Sequence, residues 1–221
     1  MDCSIEVLKD FKGDLLELKN YPNLKELEIV KVYFNEELKY LPVSLEKLKI
    51  GCIYFDQKLD NLPEGLRELE IHSMYFNKKL DNLPVGLREL KIEYCENFNK
   101  ELENLPKGLK LLKIIECYKF NQELNNLPVG LDVLIIRSDK FNKKLDKLPL
   151  GLKELCIGSK EFNEELDNLP LSLKMLSIRR EYLKCYLLED VLCVLPIGCD
   201  LYINENDYYM EVSSCDSIFL K

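Results

Sequence analysis

One stretch of 21 or 22 residues recurs head to tail through most of this 221-residue chain. Each copy begins with Phe-Asn, or Phe-Asp in one case, continues to Leu-Pro and a small residue, and ends in Leu-x-x-Leu-x-Ile. The aromatic residues that open the copies are Phe34, Phe55, Phe76, Phe98, Phe120, Phe141 and Phe162. Such a repeat predicts one supersecondary unit copied along the chain, in which each unit packs against its neighbours.

The second half of each copy predicts a β-strand. Apolar and polar residues alternate there, as in Leu90-Lys91-Ile92, and a period of two is typical of a strand with one buried face. The proline of the Leu-Pro step cannot donate a ladder hydrogen bond, and the small residue after it, such as Gly86, should allow a turn just before the strand. The expected strands are 24–30, 45–51, 66–72, 87–93, 109–115, 131–137, 152–158 and 173–179.

A repeat of roughly 20 to 29 residues with this Leu-x-x-Leu-x-Ile segment is typical of leucine-rich repeats. We therefore expect an α/β or mainly β solenoid, a curved stack with a parallel sheet of about 8–10 strands on its concave face. Short turns or 3₁₀ segments should form the convex side. The return arm, for example residues 76–83, is compatible with helical, 3₁₀ or extended chain, because its apolar spacing covers too short a segment to decide.

The repeat also divides the chain into three parts. Residues 1–23 are expected to form an N-terminal cap built from a degenerate copy, in which Phe11 and Leu15 take the places of the Phe and Leu of a repeat. Residues 24–179 hold seven to eight repeats, and residues 180–221 form a C-terminal cap. Caps are needed because the end copies of a solenoid would otherwise expose a core layer.

These residues resemble the FNIP repeats, a leucine-rich-repeat variant of slime moulds and giant DNA viruses. Phe-Asn at the start of each copy and LPxGLKxLxI at its end carry the resemblance, which covers roughly residues 11–183. Where the family favours Gln-Pro after Phe-Asn, this chain has pairs such as Lys78-Lys79, which predicts more charged return segments. The family implies a protein-interaction solenoid, sometimes joined to an F-box that recruits a ubiquitin ligase. We expect no F-box of the usual length before the first copy.

Composition indicates a soluble protein. Hydrophobic residues make up 47% of the chain without forming a run of 18, so neither a membrane span nor a membrane partner is expected. A formal net charge of -8 argues against nucleic acid as the main partner. Nine cysteines without a Cys-x-x-Cys pair indicate reduced thiols, and no secretory signal is recognised. We therefore expect a cytoplasmic protein, in the host cytoplasm if it is virus-encoded.

No catalytic, cofactor-binding or metal-binding residues are predicted. His72, the single histidine, is interpreted as an ordinary surface residue, and structural zinc usually takes four Cys or His ligands. Each glycine of the Leu-Pro-x-Gly step precedes a strand, unlike the glycines of a phosphate-binding loop, which open a helix. Cys95 and Cys117 occupy equivalent positions in adjacent copies and are expected to be stacked, buried thiols, with a redox pair as the alternative.

The Asn after each Phe predicts a ladder of buried side chains that hydrogen-bond from one copy to the next. A ligand site would need such a residue in one or two copies only, whereas a structural ladder needs it in all of them.

The outward strand positions predict the functional surface. In the N-terminal half Glu28, Lys49, Glu70 and Lys91 alternate in sign, so charges on neighbouring strands should pair. In the C-terminal half the outward positions become apolar, which on a wet face often marks an interaction site. The alternatives are local drift of the surface, or cover by the C-terminal tail. The candidate partner-binding residues, here called the strand patch, are Leu111, Lys113, Ile115, Val133, Ile135, Arg137 and Met175.

The function expected from these features is a non-enzymatic scaffold that binds a protein partner through its concave strand face, as a monomer or weak homo-oligomer. One alternative is a substrate-recognition subunit of a ubiquitin-ligase assembly that lacks its own F-box. Another is a self-associating structural protein.

Overall fold

A computed structural model of the chain describes residues 4–179, 188–205 and 208–214, with side chains placed up to residue 203. The strands of the described chain form a single sheet and lie in it in the order of the sequence. The strands are β1 (Val7–Phe11), β2 (Glu26–Ile29), β3 (Lys47–Gly51), β4 (Glu68–His72), β5 (Glu89–Glu93), β6 (Leu111–Ile115), β7 (Val133–Arg137), β8 (Glu154–Ile157), β9 (Met175–Arg179), β10 (Asp200–Glu205) and β11 (Tyr208–Ser214).

Strands β1 to β10 run parallel, and β11 returns antiparallel to β10. The fold is therefore the predicted mainly β, leucine-rich-repeat-like solenoid with one parallel strand per copy. From β2 to β10 the register is constant, because the middle Leu of one strand lies beside the same Leu of the next, as Leu48 lies beside Leu69. A surface position on one strand thus has the equivalent position of the next copy as its neighbour.

The repeat strands begin slightly later than predicted, and the cause is local. The N–H groups of both Glu46 and Lys47 donate to one carbonyl, that of Lys25, at 2.8 and 2.9 Å. Two successive donors on one acceptor interrupt the alternation of a regular ladder, so the regular strand starts at Lys47 instead of residue 45. The same pair of bonds recurs at the following strands.

A column of phenylalanines forms the centre of the solenoid. Successive rings stack nearly parallel, with centroids 5.9 to 6.1 Å apart and interplanar angles of 4 to 13°. All seven rings, from Phe34 to Phe162, are buried. Columns of Leu and Ile flank them, which places the core in one continuous interior between the sheet and the return segments.

Hydrogen-bonded turns, and not helices, close each repeat copy. The N–H of Leu87 donates to the carbonyl of Pro84 at 3.0 Å, and the N–H of Phe98 donates to that of Cys95 at 2.9 Å. Equivalent bonds recur along the chain. The predicted turn is present, although Gly86 does not adopt a left-handed φ in it. An added Cβ would lie 2.7 Å from the Arg67 guanidinium, which is the end of a flexible side chain, and 3.3 Å from the carbonyl oxygen of Glu64.

The predicted Asn ladder is present, although it is not buried. Each side-chain oxygen from Asn35 to Asn142 accepts the backbone N–H of the equivalent residue in the next copy at 2.9 to 3.2 Å, and the N–H of Asn163 is the last donor. These side chains are exposed or half-buried, because they lie on the outside of the turn beside the buried Phe. The ladder therefore satisfies backbone donors at the surface of the return segments.

The N-terminal cap differs from a repeat. Phe11 lies at the end of β1 beside Ile29, so it takes the place of a strand Ile and not of the Phe that opens a copy. Asp10 has a φ of 53°, and the bulge between Leu8 and Phe11 shifts the register. A 3₁₀ helix, Leu15–Asn20, follows and is capped by Asp14, which accepts the N–H of Leu16 at 2.8 Å.

The described part of the C-terminal cap contains one unpredicted α-helix, α1 (Leu188–Val194), before β10. Residues 180–187 and 215–221, to which the predicted cap and its apolar tail extend, lie outside the described residues. Among the helices of the described ranges, none is long and apolar enough to cross a membrane.

Candidate functional site

The outward face of the N-terminal half carries a network of ion pairs. Lys49 on β3 contacts Glu28 on β2 at 3.3 Å and Glu70 on β4 at 3.1 Å, as the alternating charges predicted. Lys91 departs from the prediction, because it pairs with Glu89 of its own strand at 3.0 Å. Besides Lys49, Glu70 therefore contacts a cation other than Lys91.

That cation is His72, two residues along β4. Its Nε2 atom lies 3.0 Å from Oε1 of Glu70 and 2.9 Å from Oε2 of Glu93, the residue directly beside it on β5. Nε2 is shielded from solvent, yet neither oxygen lies in line for a directed hydrogen bond. The side chains of all three residues are only 19 to 25% exposed. The prediction of an ordinary surface histidine is wrong, since the imidazole sits between two carboxylates.

Glu70, His72 and Glu93 are here called the triad, and the positive charge of its imidazole and the negative charges of its carboxylates stabilise one another. Close contact with Glu70, and then with Glu93, raises the pKa of His72 to about 9. The pKa of Glu70 is lowered to about 2, first by His72 and then by Lys49, against the opposing effect of burial. At neutral pH the imidazole is therefore protonated and Glu70 is ionised.

A groove of about 420 Å³ adjoins the triad at the C-terminal ends of the strands. Tyr94 meets the His72 ring edge to face at a centroid distance of 5.6 Å. Tyr94 is the extra residue of a 22-residue copy, and it has a φ of 56°. Glu116 is the extra residue of the next copy, with a φ of 54°. Its carboxylate is the main cause that raises the pKa of Tyr118, which also lines the groove, to about 12.

An apolar row with stacked tyrosines runs along the same edge of the sheet. The rings of Tyr33, Tyr54 and Tyr75 stack with centroids 5.4 and 5.1 Å apart, and each ring is 41 to 79% exposed. The residue before each tyrosine is also apolar and exposed. We call this set the tyrosine rim, and its members are Val32, Tyr33, Ile53, Tyr54, Met74 and Tyr75.

A second exposed apolar row lies at the opposite edge, at the tips of the Leu-Pro-x-Gly turns. It consists of single residues that are 80 to 96% exposed, one in each of several copies, namely Val43, Val85, Val129, Leu150, Leu171 and Ile197. These tips lack aromatic rings and have no groove beside them among the described pockets. They are the less distinctive of the two rows.

The structure brings six of the seven strand-patch residues together. Leu111, Lys113 and Ile115 on β6 lie directly beside Val133, Ile135 and Arg137 on β7. Met175 lies on β9, beyond β8, so it is not adjacent to the other six. All seven are only partly exposed, which makes the patch less accessible than the tyrosine rim.

The cysteines of the described ranges are free thiols. Cys95 and Cys117 are both fully buried, as predicted. Burial, and then contact with Cys95, raise the pKa of Cys117. Cys156, an outward-column position next to the strand patch, is also buried, with 3% of its surface exposed. Only Cys193 is exposed among the described cysteines.

Sequence reasoning missed both the triad and the tyrosine rim. His72 and Glu93 each follow the strand Ile in consecutive copies, so a constant register is enough to place them side by side. The rim follows from the apolar-Tyr-Phe order at Tyr33, Tyr54 and Tyr75, which is visible in the sequence. The residues just before each Phe lie outside the strand columns, on which the prediction of the surface depended.

Among solved structures, the chain is similar to one described as CroV588, a novel circular LRR protein structure. The two share 27% sequence identity and a TM-score of 0.69, and the match covers 92% of this chain and 31% of the other. This chain thus spans about a third of the length of that protein. No protein-family model and no curated protein matches the chain.

Fold and comparison together define a leucine-rich-repeat-like solenoid, a class that typically provides an extended binding surface. The narrower FNIP assignment stays a prediction from the Phe-Asn and LPxGLKxLxI motifs.

Proposed function

We propose that this protein is a non-enzymatic scaffold that binds a protein partner, and that the tyrosine rim makes the main contact. The observation that carries the proposal is the stacked, exposed row of Tyr33, Tyr54 and Tyr75. Tyrosine is enriched in protein interfaces, where it supplies a large contact area from a side chain with few rotatable bonds. Rings already stacked in the free protein lose less conformational entropy when a partner binds.

The surroundings of the rim favour a protein as the ligand. Its apolar side chains are continuous with a groove that also contains the carboxylates of Glu96 and Glu116 and the phenol of Tyr118. An apolar centre with polar groups at its margin is the usual organisation of a protein interface. The acidic groove favours a partner with basic residues at the corresponding position, and the net charge of -8 favours the same kind of partner. The strand patch remains the second candidate surface, because its Lys113 and Arg137 frame apolar side chains.

The test is affinity capture from a eukaryotic cytosol with three matched proteins. The first is the wild-type chain, and the second carries Tyr33→Ser, Tyr54→Ser and Tyr75→Ser. The control carries Leu150→Ser and Leu171→Ser, which remove equally exposed apolar side chains from the opposite edge. We expect a protein retained by the wild type and the control to be lost from the tyrosine variant. Its direct affinity, measured with the purified partner, should fall at least tenfold in that variant.

Retention of every captured protein by the folded tyrosine variant would refute the role of the rim. A Val133→Glu, Ile135→Lys variant assayed in parallel tests the strand patch, since a partner lost only from that variant would bind there. Circular dichroism of all variants must match that of the wild type.

A cytoplasmic location and the FNIP affiliation form part of the same proposal. The free thiols of the described cysteines support the location, and the repeat motifs support the affiliation.

Self-association is a second candidate that one observation favours. The similar solved protein is described as circular, and this chain covers 31% of it with the same kind of repeat. Copies of this chain could therefore stack end to end through their terminal strands. Light scattering between micromolar and hundred-micromolar concentration tests self-association, because a molar mass that stays at the monomer value excludes it.

Ligase components among the proteins captured from the cytosol would instead support the ubiquitin-ligase alternative.

A further inference from the structure

The triad of Glu70, His72 and Glu93 has a geometry that an ion pair alone does not explain. A protonated histidine between two carboxylates would be expected to direct its N–H at one of the oxygens. Here both oxygens lie close to Nε2, at 3.0 and 2.9 Å, and both lie off the N–H direction. A shielded ring nitrogen is thus left without a directed partner although two anionic oxygens flank it.

This arrangement fits the coordination geometry of a metal ion. Bonds from a divalent first-row metal to His nitrogen and carboxylate oxygen are roughly 2.0–2.2 Å long, so two ligand atoms are about 3.0 Å apart at the right angle of an octahedral site and about 3.4 Å apart at the tetrahedral angle usual for zinc. The two nitrogen–oxygen distances, 3.0 and 2.9 Å, match the right angle, so water molecules would complete an octahedral shell, and tetrahedral binding would need the oxygens to move apart by about 0.4 Å. The three ligand atoms all lie within 4.8 Å of one another, and two oxygens on opposite sides of an ion would be about 4.2 Å apart.

We propose that Glu70, His72 and Glu93 form a binding site for a divalent first-row transition-metal ion such as Zn²⁺. The sheet register builds the site, since Glu70 and His72 share one face of β4 and Glu93 lies directly beside His72 on β5. The expectation of no metal site counted only Cys and His as ligands and did not consider carboxylates on neighbouring strands.

Surrounding residues fix the orientation of the ligands. Lys49 contacts the same Oε1 of Glu70 at 3.1 Å, and a carboxylate has enough lone pairs to accept this contact and bind an ion. Tyr94 packs edge-on against the imidazole and limits its rotation. Such outer contacts orient metal ligands in established sites. The ligand set of one imidazole and two carboxylates suits Zn²⁺ better than Mg²⁺, which prefers oxygen ligands alone.

The single histidine makes the test unambiguous. The reduced 221-residue chain is titrated with ZnCl₂ at pH 7.5, where zinc binds Nε2 by displacing its proton into the buffer, and the imidazole C–H resonances, which belong only to His72, are followed by NMR. We expect them to shift and to saturate at one equivalent of zinc. Glu93→Gln, which preserves the shape of the side chain, should weaken the affinity at least tenfold. The matched control is Glu89→Gln, a carboxylate on the same strand that pairs with Lys91 and should leave the affinity within twofold.

Imidazole resonances that do not respond to excess zinc would overturn the proposal, including the case in which zinc is retained by cysteine thiolates. Equal affinities of the wild type and of Glu93→Gln would overturn it as well. Glu70→Gln provides a second variant should Glu93→Gln fail to fold. MgCl₂ at the same concentration should leave the resonances unchanged, and a shift as large as that with zinc would show a general cation effect and contradict a selective site.

Discussion

The chain contains two stacked aromatic ladders of similar geometry that differ in burial, and this permits a sharp test of what stabilises the solenoid. Phe98 is fully buried, with its ring centroid 5.9 Å from those of Phe76 and Phe120. Tyr54 is 41% exposed, with centroids 5.4 and 5.1 Å from its two neighbours. If stacking were the dominant contribution, both truncations to alanine would cost a similar free energy of unfolding.

The difference in burial predicts a much larger loss of stability for the phenylalanine than for the tyrosine. Phe98→Ala removes a buried ring and leaves a cavity between two copies, which costs about 3–5 kcal/mol. Tyr54→Ala loses two ring contacts, each about 0.5–1.5 kcal/mol when well ordered, and part of that loss is offset by hydration and side-chain entropy at the surface. We therefore expect a cost of about 1 kcal/mol for Tyr54→Ala. With a urea dependence of about 3 kcal/mol per M, the midpoint should fall by about 1–1.7 M for Phe98→Ala and by about 0.3 M for Tyr54→Ala.

The measurement is urea unfolding followed by far-ultraviolet circular dichroism in the presence of a reductant. Because Phe98 lies in the middle of the array, its loss should also broaden the transition as the two halves uncouple. Equal midpoint shifts for the two variants, or a larger shift for Tyr54→Ala, would refute the view that burial along the phenylalanine column stabilises the fold.

Three further predictions follow from the side-chain contacts. The pKa of His72 is raised to about 9 from an unfolded value of about 6.5, so its stabilising contribution is complete below pH 6.5 and is lost as the pH rises through 9. Urea unfolding at pH 6 and pH 9.5 should show a smaller loss of stability for His72→Gln than for wild type, and equal losses would contradict the assignment. Native protein at pH 8 should be alkylated at the exposed Cys193 before the buried Cys117, whose pKa is raised, as mapped by mass spectrometry; the reverse order would contradict the burial. Asn99→Ala should lower the free energy of unfolding by about 1 kcal/mol, because the N–H of Asn121 loses its acceptor at 3.0 Å, whereas Asn126→Ala at an exposed position should change it by less than about 0.5 kcal/mol.

The architecture was predictable because repetition makes local signals reinforce one another. One alternating segment such as Leu90-Lys91-Ile92 is ambiguous alone, but its recurrence at a fixed spacing fixes strand, register and interior together. The Asn ladder could be predicted for the same reason. Its exposure could not, since the sequence does not reveal on which side of the turn the side chain lies. The helix α1 falls where the repeat ends and this reinforcement is absent.

Prediction of the site failed for a different physical reason. A residue in a repeating column looks interchangeable with its neighbours, and His72 shares its column with Gly51 and Glu93. The ionic contacts of His72 depend on the side chains at the same position of the neighbouring strands. Gly51 leaves one side open, and Glu93 supplies a carboxylate on the other. The strand patch, in contrast, was predicted from its column alone, and in the structure its residues are only partly exposed.

One departure from the repeat, the extra residue at Tyr94, lies beside the triad and the groove. The extra residue at Tyr94 is accommodated by a left-handed φ, which in a non-glycine residue is uncommon and costs free energy. This insertion places an aromatic ring against His72 and adds a wall to the groove beside the tyrosine rim. The solenoid elsewhere shows that a 21-residue copy suffices for the fold, so the insertion is not needed for strand pairing. Removing Tyr94 should therefore preserve the parallel sheet while it loosens the imidazole and opens the groove, which separates the requirements of folding from those of binding.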